Sequence, residues 1–259
     1  TITISENESA PTVTLTTSAT SIAENAGSSL TITATLSTAT TADVTVTIGT
    51  AGTATEGTDY TDGSGNLDDI TISAGSTTGT VSFTPSDDSG DPVYEENETA
   101  IISIDGVSGG SASESGSQSV TITITENESA PTVTLTRSGA SIAENSGSTV
   151  TLTATLSIKV DEAVTVALST SGAATEGTDY GSISDITISA GSTTGTATFD
   201  PTDDSVYEDD EAAVIAIDSV SGGGASESGS QSVSVTITEN ESAPTVTLTV
   251  SDTSIAENA

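Results

Sequence analysis

The chain of 259 residues contains no cysteine, histidine, methionine or tryptophan. Without cysteine and histidine it can form neither disulfides nor metal sites based on thiolate or imidazole ligands. It has two basic residues, Arg137 and Lys159, against 38 acidic ones, for a formal net charge of −36. Nucleic-acid phosphates and anionic lipids repel such a chain, so we expect neither as a partner. No apolar run is long enough to span a bilayer, and we expect no membrane insertion.

The sequence is a repeat array. The segment Glu-Asn-Glu-Ser-Ala-Pro-Thr-Val-Thr-Leu-Thr starts at Glu6, Glu126 and Glu239, so successive copies lie 120 and 113 residues apart. Each interval is the length of a domain, which is longer than the unit of a solenoid. The opening residues Thr1 to Thr3 match the end of the first full repeat, which predicts the last strand of a preceding repeat. We therefore predict that strand and a linker in 1–10, domains in 11–128 and 129–241, and the start of a third repeat in 242–259.

Both repeats alternate β-branched or aliphatic residues with threonine or serine, as in Leu30 to Leu36. This period of two indicates half-buried strands, and no helical stripe accompanies it. We expect an all-β fold of tandem Ig-like antiparallel β-sandwiches with about seven strands each and a thin aliphatic core. Tyrosines 60, 94, 180 and 207 are expected to anchor the core or loops. The predicted strands are 12–16, 29–37, 43–49, 68–73, 79–84, 99–105 and 119–125, then 132–136, 149–157, 163–169, 184–189, 195–200, 212–218 and 232–238.

The linkers between repeats are short and contain Pro131 or Pro244. Proline fixes its own φ and restricts the residue before it, so these linkers differ from flexible Gly/Ser tethers. We predict a semi-rigid, rod-like array. The unfinished ends are consistent with an excerpt of a longer array. They are also consistent with neighbouring chains that exchange strands by β-augmentation.

Acidic residues recur at equivalent loop positions in the two repeats, and in an Ig-like sandwich these loops can meet at one pole. Carboxylates gathered there would repel one another unless a cation neutralised them. Ca²⁺ accepts six to eight oxygen ligands in flexible geometry, whereas Mg²⁺ requires a stricter octahedron. The predicted Ca²⁺ ligands are Glu24, Asp59, Asp87, Asp88, Glu95, Glu98, Glu126 and Glu128, then Glu144, Asp179, Asp203, Asp204, Glu208, Glu211, Glu239 and Glu241.

Several candidate ligands have an alternative interpretation. Glu98, Glu211, Glu126 and Glu239 fit equally well as solvated surface carboxylates. Asp59 and Asp179 are also suited to capping a turn. The first repeat carries three extra residues, Gly90 to Pro92, and these either displace Glu95 or add Asp91 to the site.

Three motifs occur in the same order in both repeats and resemble the Calx-β domain family. They are Ser-Ile-Ala-Glu-Asn at 21–25 and 141–145, Gly-Thr-Asp-Tyr at 57–60 and 177–180, and Asp-Asp…Tyr-Glu…Glu at 87–98 and 203–211. The resemblance implies Ig-like sandwiches that bind several Ca²⁺ ions at one end. Such domains occur in sodium/calcium exchangers, in an integrin subunit and in bacterial surface proteins. It also implies that the first-choice ligands are Glu24, Asp59, Asp87, Asp88 and Glu95, with Glu144, Asp179, Asp203, Asp204 and Glu208.

The repeats depart from the family where their last strands end. The family often has aspartates there, but this chain has Glu126-Asn127-Glu128 and Glu239-Asn240-Glu241. The number of bound ions per domain therefore stays open.

We expect a non-catalytic, extracellular, cell-surface protein whose repeats bind Ca²⁺ and form a stiff stalk or filament of an adhesin or matrix fibre. Its expected partners are Ca²⁺ and neighbouring repeats of the same or an identical chain. One alternative is a Ca²⁺-sensing regulatory module, and another is a polymer subunit joined by strand exchange. An enzyme is not expected, because the acids recur equally in both repeats and no nucleophile and base occur together.

Overall fold

A computed structural model describes residues 2, 9–88, 90–254 and 257. The chain divides into two compact units. Unit 1 comprises residues 1–130 together with 158–161, and unit 2 comprises 131–157 and 162–259. The secondary structure of the described residues consists of strands, turns and bends, without helix. The predicted all-β class is therefore confirmed.

Unit 1 is a sandwich of two five-stranded sheets, with strand orders β10-β1-β3-β7-β5 and β2-β11-β9-β4-β6. Neighbouring strands are antiparallel except for β1 with β10 and β2 with β11, which are parallel. A further short strand of this unit, β15, pairs with β8. The strands are β1 (Thr12–Thr17), β2 (Ser21–Ala23), β3 (Leu30–Leu36), β4 (Val44–Gly52), β5 (Tyr60–Thr61), β6 (Ile70–Ile72), β7 (Thr78–Pro85), β8 (Val93–Tyr94), β9 (Glu98–Ser108), β10 (Ser113–Glu114), β11 (Ser119–Thr125) and β15 (Lys159–Val160).

The core of unit 1 lies between the two sheets and is mainly aliphatic. In β3, Ile32, Ala34 and Leu36 are buried, and threonines separate them. This alternation places one face of the strand against the opposite sheet. Two aromatic residues add a larger contact, since Tyr60 and Phe83 are fully buried and stack with ring centroids 4.6 Å apart. The core is therefore of the predicted aliphatic kind, anchored by one aromatic pair.

The first strand region of unit 1 contributes to both sheets. β1 pairs with β3 in one sheet, and after a turn at residues 18–20 β2 pairs with β11 in the other. The register places Ala23 opposite Thr125. Glu24 and Glu126 are the next residues of these two parallel strands, so this crossing brings them to the same end of the unit.

Unit 2 repeats the architecture with sheets ordered β18-β14-β12-β20 and β13-β21-β19-β16-β17. Tyr180 and Phe199 form the equivalent aromatic stack, 4.7 Å between centroids. The counterpart of β5 is reduced to an isolated bridge between Tyr180 and Pro201. The strands are β12 (Thr132–Arg137), β13 (Ser141–Ala143), β14 (Val150–Leu156), β16 (Val164–Gly172), β17 (Ile186–Ile188), β18 (Thr194–Phe199), β19 (Glu211–Ser221), β20 (Ser226–Glu227) and β21 (Ser232–Thr238).

The strands differ from the predicted ones mainly at their ends. β4 and β9 are longer than predicted, and the two- and three-residue strands β2, β5, β8 and β10 were not predicted. β4 ends at Gly52, whose φ is +119°. A Cβ there would lie 2.0 Å from the carbonyl oxygen of Thr99, so only glycine allows β4 to follow β9 this far.

Two predictions concern the ends of the chain. The predicted opening strand is Thr1 to Thr3; Thr1 and Thr3 lie outside the described residues, and Ile2 between them is exposed. The described part of the predicted third repeat, residues 242–254, contains no strand, and Val246 and Leu248 are exposed there.

Candidate metal centre

One end of unit 1 gathers carboxylates from five separate segments. Glu24 follows β2, Asp59 precedes β5, Asp87 and Asp88 follow β7, and Glu95 follows β8. The β9 residue Glu98 and two residues after β11, Glu126 and Glu128, complete the set. These segments are far apart in sequence, and the sandwich brings their ends together. An open cavity of about 170 Å³ is lined by most of these side chains.

Glu24 lies at the centre of the first carboxylate group of unit 1. One oxygen each from Glu24, Glu126 and Glu128 lie within 4.8 Å of one another, and so do those of Glu24, Asp87 and Asp88. Glu24 is 8% exposed, so its charge is poorly screened by water. This overlapping set is called the Glu24 group below.

A second group of unit 1 consists of Asp59, Glu95 and Glu98, whose oxygens also lie within 4.8 Å of one another. Asp59 Oδ2 accepts a hydrogen bond from the backbone N–H of Thr55 at 2.5 Å. The turn-capping role expected for Asp59 is thus present, and it accompanies membership of the group. The three residues are called the Asp59 group below.

Backbone hydrogen bonds hold the carboxylate of Glu126 in place. Its Oε2 accepts from the N–H of Glu95 at 2.5 Å, and its Oε1 accepts from Asn127 and Glu128 at 2.7 and 2.8 Å. The N–H of Glu126 in turn donates to Asn97 Oδ1 at 2.9 Å. Glu126 therefore connects the exit of β11 to the segment between β8 and β9 and is more than a solvated surface acid.

Burial and mutual repulsion shift the pKa values of the Glu24 group. Burial, followed by the charges of Glu126 and Asp88, raises the pKa of Glu24 from 4.5 to about 7. The hydrogen bond shared with Glu126 raises the pKa of Glu128 to about 7. Burial acts to raise the pKa of Glu126, but its hydrogen bonds from Glu128 and from backbone N–H groups outweigh burial and lower it. The pKa values of these two neighbouring carboxyl groups are therefore shifted in opposite directions.

In the Asp59 group, burial and mutual repulsion again shift the pKa values. Burial, followed by the charge of Asp59, raises the pKa values of Glu95 and Glu98 to about 7. Near neutral pH both acids lie close to their midpoint of ionisation. A bound cation would favour their charged forms.

Several oxygen atoms at this end of unit 1 are buried without a hydrogen-bond partner. Within the described residues they include Asp88 Oδ1, Glu128 Oε2 and Asn127 Oδ1. Asp88 Oδ2, by contrast, accepts the N–H of Val93. A buried carboxylate oxygen without a donor is destabilising, and a metal ion is the partner that this donor set fits. Hard oxygen donors without nitrogen or sulfur suit Ca²⁺ or Mg²⁺.

No basic side chain of the sequence takes the place of such a cation. Arg137 donates to the carbonyl oxygen of Ser234. Lys159 pairs with Asp91 at 2.6 Å. Asp91, which the sequence left open as an additional ligand, is thus used in an ion pair and is not in either carboxylate group.

Unit 2 has an equivalent but tighter arrangement. Its groups are Glu144, Glu239 and Glu241, and Asp179, Glu208 and Glu211, again with oxygens within 4.8 Å. The cavity that they line has a volume of about 10 Å³. Two of its lining residues are joined by a hydrogen bond of 3.0 Å from the N–H of Asp204 to Glu144 Oε1. Glu241 Oε2 is buried without a hydrogen-bond partner, as its counterpart Glu128 Oε2 is in unit 1.

Two predicted ligands of unit 2 stand apart from these groups. Asp204 lines the cavity, but its Oδ1 accepts the N–H of Val206 at 2.6 Å, and neither Asp203 nor Asp204 belongs to a group of three. Their counterparts Asp87 and Asp88 do belong to one. That any of these residues binds metal stays a prediction.

The sequence reasoning missed one supporting position. Asn97 in unit 1 and Asp210 in unit 2 accept hydrogen bonds from the N–H groups of Glu126 and Glu239, at 2.9 and 3.0 Å. Both lie two residues after a predicted ligand, Glu95 or Glu208. Their equivalent placement in the two repeats was the available signal. They hold the exit segments in place through the backbone.

Comparisons with known proteins support the motif resemblance. The sequence model of the Calx-beta domain family matches residues 6–128 and again 126–241. No curated protein matches the sequence. Similar solved structures include the CBD12 crystal structure of CALX1.2, with 17% identity over 86% of this chain and 99% of that chain and a TM-score of 0.37. The bacterial integrin-binding protein invasin is 16% identical over 88% of this chain and 40% of that chain, with a TM-score of 0.39. The Yersinia pseudotuberculosis adhesin InvE is 16% identical over 87% of this chain and 58% of that chain, with a TM-score of 0.35.

No helix within the described residues has the length and apolar character needed to cross a membrane.

Proposed function

The chain belongs to the Calx-beta domain family, and from this premise we propose that each of its two repeats binds Ca²⁺ at one pole and serves as a non-catalytic spacer. We take the domains to be 11–128 and 129–241. The observation that carries the proposal is the pair of buried, unpartnered oxygens Asp88 Oδ1 and Glu128 Oε2 beside Glu24. Buried anionic oxygens without donors need a cation.

In unit 1 the Glu24 group and the Asp59 group would hold the ions. The groups offer carboxylate oxygens from five segments, which suits the high coordination number and flexible geometry of Ca²⁺ better than the octahedron of Mg²⁺. When bound, Ca²⁺ supplies the positive charge that the sequence lacks. The chain's own residues orient the oxygens, chiefly through the backbone hydrogen bonds to Glu126 and the turn closed by Asp59.

Such binding would stabilise the fold directly. Ligands from β2, β7, β9 and β11 belong to both sheets, so an ion among them joins the loops at that end of the sandwich. The free energy of binding then adds to the free energy of unfolding, by about 2.7 kcal/mol at a concentration one hundred times the dissociation constant. Millimolar Ca²⁺ outside cells is enough to occupy sites of modest affinity.

We infer an extracellular array from these features taken together. Tandem copies, linkers containing proline, a charge of −36 and carboxylate groups suited to Ca²⁺ favour a stalk or filament at a cell surface. A non-catalytic role is favoured because the same acids recur in both repeats.

The test is thermal unfolding of the whole chain, followed by circular dichroism, in Ca²⁺ and in chelator. We expect Ca²⁺ to raise the midpoint strongly and equimolar Mg²⁺ to raise it much less. The variant Asp88→Asn should bind fewer or weaker Ca²⁺ ions by calorimetry. Asp105→Asn removes an exposed carboxylate outside the groups and is the matched control, because it changes net charge equally. Equal midpoints in Ca²⁺ and chelator would contradict the proposal.

A further inference from the structure

A short parallel strand pair brings one more carboxylate to the end of unit 1 that holds the two carboxylate groups. β15 pairs with β8, and Val160 lies opposite Tyr94. The segment Ile158–Asp161 belongs to unit 1. Neighbouring strands lie about 4.8 Å apart, so the same register places the backbone of Asp161 beside that of Glu95. Asp161 and Glu95 are thus the next residues of two strands that end together.

The residues before Asp161 hold the segment in place. Val160 is fully buried, although it belongs to a strand of only two residues. Lys159 Nζ lies 2.6 and 2.7 Å from the two oxygens of Asp91. An apolar anchor and an ion pair therefore fix the position from which the Asp161 side chain extends.

The charge of Asp161 acts on two members of the Asp59 group. The pKa of Glu95 is raised first by burial, then by the charge of Asp59, and next by that of Asp161. The pKa of Glu98 is raised chiefly by burial and by Asp59, and Asp161 adds to this effect as well. This agrees with the strand register, which places Asp161 beside the group.

The Asp59 group by itself falls short of a complete coordination sphere for Ca²⁺. Its three carboxylates carry two oxygens each, and Asp59 Oδ2 already accepts the N–H of Thr55. Ca²⁺ takes about six to eight oxygen ligands in flexible geometry. A further carboxylate beside Glu95 therefore has a place in the sphere.

A separate observation in the same cavity points to a cation. Glu24 lines this cavity together with Asp59 and Glu95 and is only 8% exposed. Within the described residues its carboxylate receives no hydrogen bond, and burial and neighbouring carboxylates are what act on it. Its counterpart Glu144 does have a donor, the N–H of Asp204. A buried anion without a donor requires a positive partner in the cavity.

We infer that Asp161 is a further Ca²⁺ ligand of unit 1 and joins the Asp59 group around one ion. Asp161 is not among the oxygens that already lie within 4.8 Å of one another. Its side chain is exposed, so it can turn toward a bound ion without disturbing the strand pair. The inference rests on the proposed Ca²⁺ site and names one more residue of it. The equivalent residue of the first repeat is Thr41, so recurrence could not select this position.

The direct test is NMR spectroscopy of the full chain, labelled with ¹³C at the aspartate side-chain carboxyl groups and titrated with Ca²⁺. Single Asp→Asn variants assign the signals of Asp59, Asp91 and Asp161. We expect the Asp161 and Asp59 signals to move with the same midpoint, because both carboxylates bind one ion. The signal of Asp91, which Lys159 holds, should move little.

A second test measures affinity by calorimetry on the full chain. Asp161→Asn should weaken Ca²⁺ binding at one class of sites by about tenfold, because an anionic ligand is lost. The control is Glu162→Gln, which removes the charge of the next, exposed residue and should change the affinity by less than about twofold. The loss in Asp161→Asn should persist in about 1 M salt, where the screening length is about 3 Å.

The outcomes separate this inference from the proposed function. An Asp161 signal that stays in place while that of Asp59 moves would overturn the inference and leave the Ca²⁺ site intact. A loss of affinity that disappears in high salt, or that Glu162→Gln matches, would also overturn it. Absence of any Ca²⁺ binding to the parent chain would refute the proposed function as well. Circular dichroism of each variant should show the β-sheet spectrum of the parent, since both substituted side chains are exposed.

Discussion

Replacing Glu24 by glutamine should change stability in opposite directions with and without Ca²⁺. Glu24 is 8% exposed and belongs to both overlapping sets of the Glu24 group. Without metal, its charge is repelled by Glu126 and Asp88. Glutamine has nearly the same shape and no charge, and its N–H groups can donate to those carboxylates. With Ca²⁺, the same change removes an anionic ligand.

The size of the stability change in the Glu24→Gln variant follows from the pKa of Glu24, which burial and the neighbouring carboxylates raise from 4.5 to about 7. At about 1.4 kcal/mol for each pKa unit, keeping Glu24 ionised costs up to about 3.5 kcal/mol, and screening and local relaxation reduce this to about 1–2 kcal/mol. The metal-free variant at pH 7.5 should therefore unfold about 4–8 °C higher than the parent. In Ca²⁺ it should lose affinity by about tenfold or more, equivalent to about 1.4 kcal/mol.

The stability of the metal-free protein should fall as the pH rises. Because the folded-state pKa of Glu24 exceeds its unfolded value, the folded protein retains a proton that the unfolded chain has lost between pH 4.5 and 7. Its contribution to stability is complete below pH 4.5 and is lost as the pH rises through 7. The metal-free parent should thus become less stable from pH 5 to 7.5, and Glu24→Gln should show a shallower decline.

The assay is thermal unfolding by circular dichroism in chelator and in millimolar Ca²⁺, at pH 5, 6 and 7.5. Asp105→Asn serves as the control for a change of one charge outside the groups. A lower metal-free midpoint for Glu24→Gln, or full Ca²⁺ stabilisation in that variant, would refute the reasoning.

Two further predictions concern the core and the backbone. Phe83→Ala removes a fully buried ring that stacks on a tyrosine and should lower the free energy of unfolding by about 3–5 kcal/mol, whereas Thr80→Ala on the same strand should have little effect in the same urea titration. Gly52→Ala combines a φ of +119° with a Cβ placed 2.0 Å from Thr99 O and should cost about 2 kcal/mol or more. Gly27→Ala, with a φ of +59° and open space, should cost about 1 kcal/mol, and equal costs for the two glycine variants would contradict the close approach.

Strands in which several apolar residues alternate with polar ones were predictable from the sequence, and the two-residue strands were not. β3 and β11 carry three or more apolar residues at a period of two, and the structure places strands there. β8 has two residues, Val93 and Tyr94, too few to establish any period. It is a strand because β15 pairs with it, and a tertiary partner of this kind is not visible in local sequence.

The site was foreseeable as a set of residues but not as an arrangement. The three motifs and their recurrence at equivalent loop positions selected the acidic candidates, but recurrence alone is not enough, because the exposed Asp105 also recurs, as Asp218. Their division into two groups, with Glu24 shared, depends on how β2 crosses to the second sheet. The use of Asp91 by Lys159 likewise depends on a contact 68 residues away in sequence.

The β class, the repeated units, the aliphatic core and the excess of acidic residues over basic ones could all be inferred from the order of amino acids. These properties follow from composition, period and spacing, which are local or additive along the chain. The folded arrangement was needed to learn which oxygens lie within 4.8 Å of one another, which are buried without a donor, and why the pKa values of Glu126 and Glu128 shift in opposite directions. Repulsion, burial and hydrogen bonding depend on distances of a few ångströms between segments far apart in sequence, and folding alone sets those distances.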